Sequence, residues 1–198
     1  LTSRGKGPDD EPIPMAGVPH HSVAGYIQKL TELGHKVALC EQMADPSTVR
    51  GVVPREVVRV ITPGLCLEEE LLDARAERYL AAIVAEEGKI GFAALELSIG
   101  QLLATSVEDE GALFAELVRF SPKEIRIAGP EPIAQRIKRA MPKAAIEVAH
   151  FDKARYADAE AALIESSEAL LTEFQSLPDL ARDASAEAIA YAKSTQPS

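Results

Sequence analysis

The sequence predicts a mixed α/β fold in two unequal parts: a small N-terminal α/β unit and a larger mixed-sheet domain with flanking helices. Three observations predict it. A helical pattern, a glycine turn and an apolar strand follow one another over residues 22–42. From Tyr79 three short apolar runs are separated by tight turns, the pattern of an antiparallel meander. Strand and helix patterns then alternate to the C-terminus, which calls for parallel crossovers. The divisions read as 1–65 for the first unit, 66–78 for a linking helix and 79–198 for the sheet domain.

Bulk properties suit this reading. A chain of 198 residues, 46% apolar and 26% charged, has material for one large core or two small ones. No window approaches the roughly 18 continuous apolar residues of a membrane-spanning helix. The opening LTSRGKGPDDEP has no apolar signal core. With no initiator Met and a charged, Gly-rich start, the chain reads as a piece of a longer protein. Cys40 and Cys66 lack metal-ligand spacing and read as buried or idle thiols of a reducing compartment.

The net charge of −10 argues against a general nucleic-acid binder, but its distribution changes that argument. Residues 1–65 carry seven Lys plus Arg against seven Asp plus Glu. Residues 66–198 carry fourteen against twenty-four, so the whole excess of acid lies there. A polyanion is tolerated only by the first third. The acidic remainder suits protein contacts.

Taken in order, residues 1–21 read as loop, because Gly5, Gly7, Pro8, Pro12, Pro14, Gly17 and Pro19 punctuate them. Ser22 to Leu33 reads as a helix. Val23, Tyr26, Ile27, Leu30 and Leu33 fall at the spacing of a buried face, with Ser22 or His21 as cap and Gly34 as the left-handed stop. Lys36 to Gln42 follows as a strand. The β-branched run Arg55 to Thr62 has apolar residues on both faces, which predicts a strand inside a sheet, ended by Pro63-Gly64. Glu68 to Arg78 reads as a charged connecting helix.

The sheet domain then reads as strands from Tyr79, Ile90 and Gln101, a helix over Ala112 to Phe120 and a strand over Glu124 to Ala128. A helix over Glu131 to Met141 and a strand over Ala145 to Phe151 follow. A long helix over Ala157 to Phe174 and a last one over Ala184 to Lys193 complete it. This β-β-β-α-β-α-β-α-α order is that of the ribonuclease-H-like fold, an analogy that carries no function by itself.

Enzyme chemistry finds few residues. A two-metal nuclease on such a fold needs carboxylates converging on ions about 4 Å apart. Glu87 and Glu96 are offered by the hairpin, while Glu124 and Glu147 stand alone; Glu96 has an alternative as an edge or capping carboxylate. No nucleophile elbow or phosphate-binding loop is present. His20 and His21 are adjacent and, in extended backbone, point apart. What remains is the Pro-rich stretch Pro12 to Ser22, which holds Met15 and two His rigidly. Such a stretch suits docking on a surface, with Met15 along a DNA minor groove or in core packing as equal alternatives.

The stretches EPIPMAGVPHHSVAGYIQKLTELGHKVALCEQMADP and REVVRVITPG closely resemble the MutS family of DNA mismatch-repair proteins, and LTSRGK and IGFAALELSIGQL fit the same family. The resemblance implies that residues 1–65 are the second half of the mismatch-recognition domain. Residues from about 79 would be the connector domain, a ribonuclease-H-like unit without its active site. The family's Phe-x-Glu wedge would lie upstream of Leu1, and the lever, clamp and ATPase domains beyond Ser198. Carried over by position, Arg4, Lys6, Pro14, Met15, His21 and Arg55 would face mismatched or looped double-stranded DNA. Arg4 and Arg55 would sit on the backbone and Met15 near the minor groove; His20 stands where relatives often carry Tyr. The connector would relay signals and dock the partner MutL, with Asp152, Arg155 and Tyr156 as candidate contacts. The resemblance further implies a bacterial cytosolic, nucleoid-associated protein. This chain would have no enzymatic activity or cofactor of its own, since ATP, Mg and self-association belong to the full-length parent. A metal-dependent nuclease and a pure protein-interaction module are the competing readings.

Overall fold

The computed structural model describes residues 2–6, 9–65, 78–150, 152 and 154–195. Cys66 and the expected linking helix, apart from its last residue Arg78, lie outside the described residues.

The sheet domain follows the expected order closely. Strands β5 (Tyr79–Glu86), β6 (Lys89–Glu96) and β7 (Gln101–Val107) form the antiparallel meander. The first turn is the two residues Glu87 and Gly88, both at positive φ, as a tight hairpin requires. Helix α2 (Glu110–Phe120) starts on Asp109, whose carboxylate accepts from the Ala112 N–H at 2.8 Å. Strand β8 (Glu124–Ala128) then pairs parallel to β5, and after α3 (Glu131–Ala140) strand β9 (Ala145–Val148) pairs parallel to β8. The sheet order is β7-β6-β5-β8-β9.

Both faces of this sheet are covered, and alternation along β5 assigns them. Tyr79, Ala81 and Ile83 join Phe92, Leu113, Leu117, Ile125, Ile127, Ile133 and Ile137 under α2 and α3. Leu80, Ala82 and Val84 face the last helix, α6 (Asp179–Thr195). That helix is longer than the expected Ala184 to Lys193 and buries a row of alanines. Small residues allow close approach. A Cβ added to Gly91 on β6 would overlap the Leu180 carbonyl and stand 2.9 Å from the Ala181 nitrogen.

The single long helix expected over Ala157 to Phe174 is two: α4 (Ala154–Ser166) and α5 (Glu168–Ser176). Ser167 is extended, at φ −170 and ψ 133, and Ser166 Oγ donates to the Ala162 carbonyl at 2.9 Å. Adjacent serines compete with the helix for its own hydrogen bonds, which apolar periodicity does not register. Both helices pack on α6 through Ala159, Phe174 and Ala186.

The N-terminal unit departs more. The loop expected over 1–21 contains an antiparallel ribbon of β1 (Thr2–Lys6) and β2 (Pro12–Met15), then a turn of 3-10 helix over His20–Ser22. In a two-stranded ribbon both strands are edges, so a proline without N–H is tolerated. Gly5 takes φ +79 where the register shifts. Helix α1 (Val23–Glu32) ends as expected on Gly34 at φ +86, but Ser22 makes no side-chain cap bond. Its face is a correction too. Ile27 is buried, while Tyr26, Leu30 and Leu33 are exposed, Leu33 by 74%. Strands β3 (Val37–Gln42) and β4 (Arg55–Ile61) pair only with each other among the described residues. Among the described residues the two strands pack on the helix through Ile27, Ile61, Val37 and Leu39, with Val23 and Ala24 beside Ile27. So narrow a sheet leaves Val57, Val58 and the free thiol Cys40 exposed, so β4 is not the interior strand its pattern predicted.

Candidate nucleic-acid interface

The hairpin gathers four of the six residues expected on the DNA side. Thr2 pairs with Met15, Ser3 with Pro14 and Lys6 with Pro12. This register puts Arg4, Lys6, Pro14 and Met15 on one ribbon, so Pro14 and Met15 lie in a strand rather than a turn. Lys6 is exposed, and its ammonium meets the Asp10 carboxylate at 2.8 Å. The pair offsets part of the field that Lys6 offers an anion, and water screens the rest. His21 stands on a separate element, the exposed turn entering α1, where the Ser22 N–H donates to the Pro19 carbonyl at 2.9 Å. Arg55 is on a third: it opens β4, opposite Gln42, and is exposed. The loop before it is built on Asp45, which accepts from the Ser47 N–H and hydroxyl at 2.8 and 2.7 Å. Those bonds hold the Asp45 carboxyl below its ordinary value.

The carboxylates considered for metal chemistry have other partners. Glu87 occupies the exposed β5–β6 turn. Glu96 accepts from Ser98 Oγ and the Ile99 N–H, each at 2.9 Å, which is the capping alternative. Among the described residues no group of three or more His, Cys, Asp or Glu is placed to hold a metal ion.

Glu124 and Glu147, which the sequence left isolated, come together where the two units meet. Beyond β4, Thr62 to Leu65 turns into the sheet domain, and Leu65 packs with Leu80, Leu95 and Tyr191. Glu124 is 0% exposed. It accepts from the Thr62 hydroxyl, from the Gly64 N–H at 3.2 Å and from the Tyr191 hydroxyl at 2.6 Å. Lys36, just before β3, donates to Glu147 on β9, and its nitrogen is 3.8 Å from Glu124. Arg126 on β8 donates to Glu147 at 2.8 Å and to Glu187 on α6 at 2.6 Å, and its guanidinium lies 4.2 Å from the Tyr191 ring.

The electrostatics follow from those contacts. Burial and the neighbouring Glu124 push the Tyr191 hydroxyl up to about 12. Burial acts to raise Glu147, but hydrogen bonds from Lys36 and Arg126 outweigh it and hold the carboxyl below its ordinary value. Burial likewise pulls on Lys36, and bonds to Glu147 and Tyr191 overcome it, leaving the ammonium above its ordinary value. One signal in the sequence pointed here: Glu124 and Arg126 share a face of a strand with apolar neighbours, and buried charges require partners.

The candidate partner contacts sit at the start of α4. Asp152 is exposed and accepts from the Ala154 N–H at 3.0 Å. Arg155 has its Nε 3.6 Å from the buried Glu187, and Tyr156 packs edge-on against Phe174 at 6.3 Å. All three thus have contacts within the chain.

Family models described as MutS domain I and MutS domain II match residues 1–70 and 78–198. Three relatives carry the name DNA mismatch repair protein MutS. That of Sorangium cellulosum (strain So ce56) is 54% identical over 142 residues, 67% of this chain and 15% of the relative. That of Desulfatibacillum aliphaticivorans is 41% identical over 166 residues, 80% of this chain and 18% of the relative. That of Methanothrix thermoacetophila (strain DSM 6194 / JCM 14653 / NBRC 101360 / PT) is 47% identical over 124 residues, 63% of this chain and 14% of the relative. The chain therefore spans less than a fifth of the length of these relatives.

Proposed function

The chain belongs to the MutS family, and from that premise we propose that it is the DNA-contacting and signal-relaying part of a mismatch-repair recognition protein. Residues 1–65 bind duplex DNA along the backbone and minor groove near a mispair or small loop. Arg4 and Arg55 donate to phosphates, which position the protein without reading sequence. Lys6 adds a partly neutralised charge and His21 a donor. Pro14 and Met15 present an apolar edge to the minor groove. The single observation that supports this reading best is the ribbon register, which collects Arg4, Lys6, Pro14 and Met15 in the one part of the chain without excess acid.

The sheet domain couples DNA binding to the ATPase region of the longer parent and docks MutL, with Asp152, Arg155 and Tyr156 as contacts. Its acidic charge repels DNA and suits a protein partner. The chain is not itself an enzyme; ATP, Mg and self-association serve the parent, in the bacterial cytosol at the nucleoid.

Fluorescence anisotropy of a labelled mismatched duplex tests the DNA reading. At about 0.1 M salt each phosphate contact contributes roughly eightfold through counterion release. Arg4→Ala combined with Arg55→Ala should therefore weaken binding by roughly 60-fold. Equal binding by the double variant removes those residues from the interface.

A further inference from the structure

Among the described residues, the contacts of the N-terminal unit with the sheet domain include two of different character. One is the chain itself: Thr62 to Leu65 runs out of β4 into the core around Leu80 and Tyr191. A body held by one strap can swivel about it. The second place is remote in sequence. Lys36 reaches Glu147 and lies near Glu124, more than eighty residues away.

The two places differ in rigidity. Glu147 is fixed by Arg126, Arg126 by the fully buried Glu187 and the face of Tyr191, and Glu124 by Tyr191 and Thr62. Arg155 approaches the far oxygen of Glu187. These groups form a seat built almost wholly from β8, β9 and α6. Lys36 is the cation that the N-terminal unit contributes to it, and 39% of its side chain is open to solvent. Glu147, which the lysine binds directly, is also open to solvent, by 45% of its side chain, while Glu124 and Glu187 behind it are buried. Ions reach both partners of the outer pair, which makes it sensitive to ionic strength.

We propose that Lys36 and its carboxylate seat form an ionic joint that fixes the orientation of the N-terminal unit on the sheet domain, and that raised ionic strength releases it. With the joint closed, a load on the N-terminal unit moves both units together; with it open, the unit turns about Thr62 to Leu65. The proposal involves no DNA, so it stands or falls separately from the reading above.

Spin labels test it in the 198-residue chain with Cys40 and Cys66 replaced by Ser. One label sits at Gln28→Cys on α1 and the other at Gln135→Cys on α3, and the distance distribution is read by pulsed electron resonance. At low salt it should be narrow. Lys36→Met should broaden it at least twofold in a protein with native circular dichroism, and Lys36→Arg should keep it narrow. Lys123→Met, which removes a cation lining the cleft of about 630 Å³ beside the joint, should also keep it narrow. One molar KCl should broaden the unsubstituted protein and leave Lys36→Met unchanged, a readout that does not depend on the variant folding. A narrow distribution for the unsubstituted chain in 1 M KCl, or equal broadening by Lys123→Met, overturns the joint.

Discussion

Replacing Glu124 with Gln changes the shape of that side chain very little and its hydrogen-bonding capacity a great deal. In the native protein one carboxylate oxygen accepts from Thr62 and Gly64, and the other accepts from Tyr191 with Lys36 nearby. Glutamine offers a single acceptor oxygen. If that oxygen serves Thr62 and Gly64, the amide nitrogen points at Tyr191 and toward the Lys36 ammonium. The Tyr191 hydroxyl can turn to accept, but the lysine then faces a donor. Bonds to a charged group contribute about 1.5–3 kcal/mol each and neutral bonds about 1 kcal/mol. Losing the charge from the two shorter bonds comes to about 2–3 kcal/mol. For a chain of this length that corresponds to a fall in Tm of roughly 4–12 °C. Urea unfolding followed by circular dichroism measures it as a lower midpoint with unchanged slope. Tyr191→Phe in the same background should be non-additive, because both variants remove the same bond. A midpoint shift equivalent to less than about 0.5 kcal/mol would falsify the idea that this buried carboxylate organises the junction.

Two further outcomes follow from the same contacts. Gly91→Ala drives a methyl into the backbone of α6, which cannot give way as a flexible side chain would; thermal unfolding should show about 2–3 kcal/mol of destabilisation, typical of severe overpacking, and an unchanged Tm would show that α6 does not lie on β6 as described. The Lys36–Glu147 pair should hold only within a pH window. Glu147 titrates below its ordinary 4.5, so its contribution is present above 4.5 and lost as pH falls through the lower, folded value. Lys36 titrates above 10.5, so its contribution is complete below 10.5 and lost as pH rises through the higher, folded value. The stability difference between the native chain and Lys36→Met should be greatest near pH 7 and shrink at both extremes, reaching at most about 1 kcal/mol because the lysine is well solvated. A difference that stays constant from acid to alkali means the pair contributes nothing.

How much of this was legible in the sequence differs between the two units. In the sheet domain, each strand is short, apolar and bounded by turns, and β8 begins and ends at Glu124 and Ala128 as its pattern predicts. Periodicity works there because both faces are buried. In the N-terminal unit it misled, since Tyr26, Leu30 and Leu33 have helical spacing but are exposed. Spacing states which residues share a face and is silent about what covers it. The ribbon of β1 and β2 was hidden by its prolines, whose composition says loop while pairing in a two-stranded ribbon tolerates them. The junction was the largest omission. Glu147 and Lys36 look like surface charges when read alone, the strand pattern hints at burial only for Glu124, and only the fold brings residues 36, 62, 124, 147 and 191 together. The residues proposed for the DNA side came chiefly from resemblance, because Arg4 and Arg55 carry no pattern of their own.

The most direct measurement of the DNA-binding claim is the salt dependence of duplex binding by the intact chain. With Arg4, Lys6 and Arg55 on phosphates, the slope of log K against log salt should be near −2.7, at about −0.9 per contact. Arg4→Ala with Arg55→Ala should bring it to roughly −0.9, leaving Lys6 alone. A slope near zero for the native chain, or one that the double substitution leaves unchanged, contradicts a DNA interface on the first 65 residues.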